Sequence, residues 1–268
     1  MAKVILSTDQ NYDYLFFTPI TSFVWEYFGF KPLLLILGRS KYTDLVYEYI
    51  NRYTTSEIFE IEPVPNYKNC TIVQFSRLYA SCFEKNPNEY LITGDIDMLI
   101  LNKYLYRDFD KMNLFGQDLT GFVHQPLCYI GMTTEKWRIF LDIEFGKFNE
   151  NILRDLEIDG LGKSTIFDEY WYTDQRFITN KIKKLGEKKF NVILRGKDSK
   201  MVANNRLDRN HWNFNPDIDY IDCHLLKEGY LEDNFKKIYR VIENKIQKDC
   251  SWMIDYVQKF NKIRNENR

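Results

Sequence analysis

Apolar positions along this chain follow two rhythms. Lys3–Ser7, Leu33–Leu37, Tyr90–Thr93 and Met98–Leu101 are short, near-continuous apolar runs without a helical stripe. That is the pattern of strands buried inside an α/β sheet. Between them Pro19–Phe28, Tyr42–Tyr53 and Thr71–Phe83 read as helices, the first opened by its proline and stopped by Gly29. Asn11–Tyr14 reads as a polar, aromatic loop, and Ile58–Ile61 as a short strand before a Pro63/Pro65 turn. Thr71–Phe83 carries Val73, Leu78 and Cys82 roughly on one face and leaves Arg77 to extend from another. This alternation predicts an α/β fold with a mostly parallel sheet and helices on both faces. Ligands of such sheets collect at the carboxyl ends of the strands, where Ser7–Asp9 and Gly94–Asp97 fall.

The second half is less regular. Asp118–Val123 and Cys128–Met132 are candidate strands around His124–Pro126, and Thr133–Phe145 is expected to be a helix. Leu153–Lys163 contains DGLGK and reads as flexible; Ser164 follows Lys163, but the full glycine spacing of an intact motif and the buried preceding strand of a phosphate-gripping loop are missing. Tyr172–Leu185 is expected to be a helix capped by Thr173. Phe190–Leu194 and Ile218–Cys223 read as strands separated by a long polar loop that includes Asn204–Asn215. From Asn234 onward Phe235, Ile238, Tyr239, Ile242, Ile246, Met253, Val257, Phe260 and Ile263 recur near every third or fourth position, with one gap at Asp249–Cys250. The stripe predicts one amphipathic helix or two in series, docked on its own domain, a partner protein or a membrane surface. The expected division is a domain over residues 1–229 and a C-terminal helical extension over 230–268; removing Phe235–Arg268 should leave metal binding in place but expose the stripe and cause association.

Composition narrows the setting. The 268 residues are 44% hydrophobic, enough for one large domain. Lys+Arg 37 against Asp+Glu 38 leaves a net charge of -1, which gives no electrostatic case for nucleic acid. The 19 Tyr and 20 Phe could line a sugar or nucleobase site or simply fill the core. Cys70, Cys82, Cys128, Cys223 and Cys250 have no zinc or disulfide spacing and read as reduced, mostly buried thiols. MAKVILSTD reaches a strand at once, and no apolar run approaches the roughly 18 residues of a membrane span. A soluble, cytoplasmic protein is therefore expected, with peripheral membrane contact left open and oligomeric state unread.

The stretch richest in chemistry is NEYLITGDIDMLILN, Asn88–Asn102. Asp95 and Asp97 stand one residue apart, on the same side if the backbone is extended. At the carboxyl edge of a central strand they could hold a divalent ion that bridges to a diphosphate. An exposed Asp-rich turn is the alternative. The apolar sequence on both sides favours the ion, because a hydrophilic turn has less reason to bring two like charges so deep.

Several short motifs together resemble the GT-A type glycosyltransferases, in particular the group around glycogenin and the bacterial galactosyltransferases. STDQNYDYLF is similar to the family's first strand and nucleotide-binding turn, with Thr8 and Asp9 toward base and ribose and Tyr14 stacking nearby. FSRLYAS is similar to the helix before the metal motif, whose arginine, here Arg77, contacts the donor. GDID matches the Asp-x-Asp motif, and YTDQRFI resembles the later segment whose Asp174 and Gln175 would face the transferred sugar. IDCHLL resembles the late strand whose histidine, here His224, would join Asp95 and Asp97 on the metal. The resemblance covers about Val4–Lys227 and departs at Gly94, where the family often has Leu-Asp, and after His224, where Leu225, Leu226, Lys227, Glu228 and Gly229 stand in place of the family's glycine and Lys-Pro-Trp ending. Lys227 is left as a phosphate-reaching candidate.

The resemblance implies a Rossmann-like sheet and metal-dependent transfer, of a hexose by expectation, from a nucleoside diphosphate donor such as a UDP-sugar. The acceptor would be a hydroxyl of a glycan or small molecule. Two carboxylates and an imidazole suit manganese or magnesium. Asp174 would orient the sugar, stabilise charge at the anomeric carbon or act as base, unless it only complements a helix dipole. Asp118 is the weaker candidate base, and Arg77 could instead be a surface residue. His124 and His211 fall in loops and could reach an acceptor, though His124 suits a structural role. Two other functions compete: a sugar-phosphate nucleotidyltransferase and a non-catalytic nucleotide-sugar scaffold. Ser7–Tyr14 lacks the glycine and basic residues the former would need for a triphosphate.

Overall fold

The computed structural model describes residues 2–102, 112–116, 125–159, 166, 170–194 and 206–266. Asp118, His124, the Asp118–Val123 strand, Gly160–Lys163 of DGLGK and the start of the Asn204–Asn215 loop lie outside them. A seven-stranded sheet forms the centre, in the order β3-β2-β1-β4-β7-β6-β8. Its strands are β1 (Lys3–Thr8), β2 (Lys31–Leu37), β3 (Glu57–Ile61), β4 (Tyr90–Thr93), β6 (Asn113–Gly116), β7 (Ile130–Thr133) and β8 (Asn191–Leu194). β1 pairs in parallel with β2 and β4, β2 with β3, and β6 with β8; only β7 runs antiparallel to its neighbours β4 and β6. A small second sheet, β5-β10-β9, is built from β5 (Met98–Ile100), β9 (Arg206–Leu207) and β10 (Asp222–His224).

Strand periodicity divides the core in two. Val4, Leu6, Leu34, Ile36 and Ile92 point into one layer, covered by the helices Thr18–Tyr27 and Thr43–Tyr53. Ile5, Leu33, Leu35, Leu37 and Leu91 point into the other, under Asn69–Ser76, Thr134–Leu141, Phe148–Asp159 and Thr173–Leu185. The central strands β1, β2 and β4 are apolar on both faces because each face meets helices. At the amino end of the sheet Lys3 and Lys31 stand opposite in register and share Glu57, at 2.9 and 2.7 Å.

Several expected elements change at their ends. Asn11–Tyr14 is not all loop, since Tyr12–Leu15 forms one helical turn with Asn11 accepting from the Asp13 amide. Thr71–Phe83 is not one helix: the α-helix Asn69–Ser76 tightens into a 3-10 helix over Arg77–Cys82. Tyr129 adopts a left-handed φ of 74°, so β7 begins only at Ile130. The next helix stops at Leu141, where Asp142 turns left-handed, and does not reach Phe145. The part of Leu153–Lys163 read as flexible is helical through Asp159. This helix escapes a hydrophobicity pattern because two of its buried positions, Asn151 and Asp155, are polar. Asn151 Nδ2 donates to the Lys147 and Glu144 carbonyls at 2.6 and 2.8 Å, and Asp155 accepts from Tyr79 Oη at 2.5 Å. Thr173 is not a cap: Tyr172 occupies that position without a side-chain bond, and Thr173 Oγ1 donates to the Tyr170 carbonyl at 3.1 Å.

The C-terminal stripe forms two helices, Glu232–Lys245 and Trp252–Asn265, broken across Asp249–Cys250. Phe235, Ile238, Val241, Ile242, Met253, Tyr256 and Phe260 are buried in the same core layer as Leu6 and Ile36. Much of the aromatic content is consumed here: Phe16 stacks on Tyr256 at 5.4 Å, Tyr42 on Phe260 at 4.7 Å and Tyr53 on Trp252 at 4.5 Å. Gly229 permits the entry into this bundle, since a Cβ there would come within 2.5 Å of the Phe17 ring. The five cysteines are free, and four are buried. Among the described residues no helix is long and apolar enough to cross a membrane.

Candidate active site

The carboxyl ends of β1 and β4 meet at GDID. β4 ends at Thr93, and the Gly94 amide donates to the Ile5 carbonyl at 2.9 Å. A Cβ at Gly94 would lie 2.9 Å from the Leu6 side chain and 3.0 Å from that of Val4, so any other residue here would have to push these β1 side chains aside. The chain then turns, the Met98 amide donating to the Asp95 carbonyl at 3.1 Å. Ile96 is buried at the turn, and its carbonyl accepts from Thr21 Oγ1 at 2.7 Å. Asp95 and Asp97 are therefore not neighbours on one side of an extended strand. The turn sends them to different partners.

Asp95 pairs with Arg77. The guanidinium is buried, not a surface group, because the tight 3-10 turn carries it inward. Its Nη1 also donates to the Gly94 carbonyl at 3.1 Å, and its Nη2 to Asp174 Oδ2 at 3.1 Å. Burial opposes the Arg77 charge, but the carboxylates of Asp95 and Asp174 overcome it and hold the group cationic. Asp174, only 2% exposed, also accepts from the Gln175 amide at 2.8 Å. Burial drives its carboxyl up to about 6; Arg77 and that amide oppose the rise, and Asp95 adds to it.

Asp97 meets a different group. β5 and β10 pair antiparallel with Met98 opposite His224, and the Leu225 amide donates to the Asp97 carbonyl at 2.9 Å. That register puts His224 Nε2 3.6 Å from Asp97 Oδ2. β9 runs parallel on the far side of β10, Leu207 opposite Cys223, pinned by two Arg206–Asp222 hydrogen bonds of 2.8 and 2.6 Å. Directly after β9, Asp208 Oδ2 comes 3.4 Å from His224 Nδ1, and Arg209 Nη2 pairs with Asp97 Oδ2. Burial would raise the Asp97 carboxyl, but His224 and Arg209 reverse this and hold it at about 2. Tyr14 lies within electrostatic reach, its phenol pushed up to about 12 by burial and then by the Asp97 carboxylate.

The other sequence candidates sit around this edge or outside the description. Thr8 is buried and donates to the Asp9 carbonyl at 3.1 Å, while Asp9 Oδ1 accepts from the Asn11 amide at 3.0 Å. Gln175 is half-buried; Lys227 and His211 are exposed. The late strand is shorter than expected: Ile218–Tyr220 is a turn, and only Asp222–His224 is extended. Asp208 and Arg209 were not legible in advance. They sit in a polar loop with no periodicity, and only strand pairing shows what they face.

The donor set fits a hard divalent ion in part. Asp97 is held ionised and His224 lies beside it, but Asp95 is engaged by Arg77. Among the described residues no three His, Cys, Asp or Glu side chains gather closely enough to hold an ion.

No protein-family model and no curated protein sequence matches the chain. Solved structures do. The galactosyltransferase LgtC in complex with donor and acceptor sugar analogues superposes with a TM-score of 0.52 at 15% identity, covering 93% of this chain and 98% of that one. The glycosyltransferase GlyE of Streptococcus pneumoniae TIGR4 superposes with a TM-score of 0.52 at 10% identity, covering 95% of this chain and 63% of its own. Its apo form gives 0.53 at 9% identity, covering 98% and 64%. The chain thus has the GT-A fold expected from its sequence.

Proposed function

We propose that this protein is a glycosyltransferase that moves a hexose from a nucleoside diphosphate sugar, UDP-linked, to an acceptor hydroxyl with manganese or magnesium. The observation that carries the reading is the Asp97 carboxylate 3.6 Å from His224 Nε2, in a fold shared with glycosyltransferases, at the edge where β1 and β4 end. LgtC holds donor and acceptor analogues, and the same reaction class is carried to this chain as a proposal. In the transfer the anomeric carbon–phosphate oxygen bond breaks, a bond to the acceptor oxygen forms, and the acceptor's proton leaves. Asp97 and His224 would hold the metal, and donor oxygens would complete its shell; Asp95 is the third candidate, paired with Arg77 in this structure. When bound, the ion neutralises charge on the departing diphosphate.

The remaining roles follow from the chain's own groups. Thr8 and Asp9, at the end of β1, are the candidates for base and ribose, with Tyr14 behind them. Arg77 orients Asp95 and Asp174 through its two ends. Asp174 and Gln175 remain the candidates for the transferred sugar, Asp174 acting through the buried ion pair. Lys227 is exposed and free to turn toward a phosphate.

Calorimetric titration with UDP in manganese, together with labelled UDP-hexoses to detect transfer or slow hydrolysis, tests this reading. UDP should bind only with the metal, and Asp97→Asn should weaken it about tenfold or more by removing a charged ligand. Asp9→Ala should weaken UDP as well. Metal-independent binding, equal affinity for GDP and UDP, or pyrophosphate exchange in place of transfer would each sink it.

A further inference from the structure

The His224 ring is flanked by carboxylates on both nitrogens, and the two flanks differ. On the Nδ1 side Asp208 Oδ2 lies 3.4 Å away, within hydrogen-bonding reach. On the Nε2 side Asp97 Oδ2 lies 3.6 Å away and already carries the Arg209 guanidinium. Asp208 is fixed for its task, because its Oδ1 accepts from the Asn210 amide at 2.9 Å as the cap of the Arg209–His211 turn. Its backbone is fixed as well, following β9 where Leu207 pairs with Cys223 beside His224.

A neutral imidazole has one N–H, and the proton goes where the better acceptor waits. From these contacts we infer that Asp208 is a positioning residue that keeps the His224 proton on Nδ1. The Nε2 lone pair then faces Asp97, available to a divalent cation. The carboxylate–histidine–metal relay is a general device: the outer carboxylate sets the tautomer and raises the basicity of the ligating nitrogen. The inference deepens the metal-dependent reading above and rests on it for the cation, but the tautomer belongs to the protein without metal.

The test uses long-range proton–nitrogen NMR of the full chain, metal-free, at about pH 8.5 where a histidine of ordinary pKa is neutral. The chain has 3 His, so His224→Ala and His211→Ala assign the signals. The parent should carry the proton on Nδ1. Asp208→Asn can keep its oxygen on the Asn210 amide only by presenting its NH2 to the ring, so the proton should move to Nε2. Manganese affinity of this variant should fall about 10–100-fold, the usual effect of losing such a partner. His211→Ala, on the same turn but exposed, should change neither readout. A parent proton on Nε2, or an Asp208→Asn variant with the parent's tautomer or its manganese affinity, overturns the inference. A parent with the proton on Nδ1 that binds no manganese would instead overturn the metal reading alone.

Discussion

Arg77 is the cation between two carboxylates of this site, Asp95 and Asp174. One buried guanidinium serves Asp95 on one arm and the fully enclosed Asp174 on the other. Removing it strands a buried carboxylate, a loss of about 3–5 kcal/mol for a broken buried pair. The sign of the pH dependence follows from Asp174. Its folded value is about 6, against about 3.9 for an aspartate in an unfolded chain. Between those values the folded chain holds the extra proton, so stability is full below the lower value and declines as pH rises through the upper one. Urea denaturation of the parent should show that decline, and Asp174→Asn should flatten it. The cost of Arg77→Ala should be smaller at pH 5, where Asp174 takes up a proton, than at pH 7.5. An equal cost at both would mean that Asp174 is not the group left stranded.

At the scale of elements, the two C-terminal helices are part of the core. Phe260 packs against Phe16, Tyr42 and Tyr230 at centroid distances of 5.0, 4.7 and 6.0 Å, and Tyr256 Oη donates to the Phe16 carbonyl at 2.9 Å. Phe16 immediately follows the Tyr12–Leu15 turn that leads from the end of β1. A segment that buries this much aromatic surface against the first helices is docked on its own domain, the first of the coverings the apolar stripe left open. Phe260→Ala should cost about 3–5 kcal/mol in thermal or urea unfolding. Deleting residues after Tyr230 should yield an associating or unfolded chain by solution mass and circular dichroism, not a folded remainder. A monomeric truncated chain with full metal-dependent nucleotide binding would show that this layer is only an accessory.

For the whole molecule, the site joins parts that belong to different layers. Asp95 hangs from the large sheet, while Asp97, His224 and Asp208 are gathered by the small one. A ligand that bridges these groups therefore ties the two sheets together. Binding to the folded chain alone adds RT ln(1 + [L]/Kd), about 2.7 kcal/mol at a hundred times Kd. UDP with manganese should raise the melting temperature accordingly, and a chelator should reverse the gain. No shift at saturating concentrations would argue that the donor does not bind at this edge.

The sequence by itself determined the central strands β1, β2 and β4, whose apolar runs are long enough to need helices on both faces, and hence the α/β class. It also marked Asp95 and Asp97 at a strand end, while His224 was marked by the resemblance of IDCHLL. The order of motifs was enough for the family's fold, which the superpositions share. Other features were decided by tertiary structure. The turn at Ile96 parts Asp95 from Asp97, and buried Asn151 and Asp155 hide a helix behind polar letters. Arg77 becomes an interior cation only because two carboxylates surround it. Asp208 and Arg209 reach the site through β9–β10 pairing, a contact between distant segments. Periodicity reports which face of an element is apolar. It carries no information on which polar groups long-range pairing will set opposite one another, and that opposition makes this site.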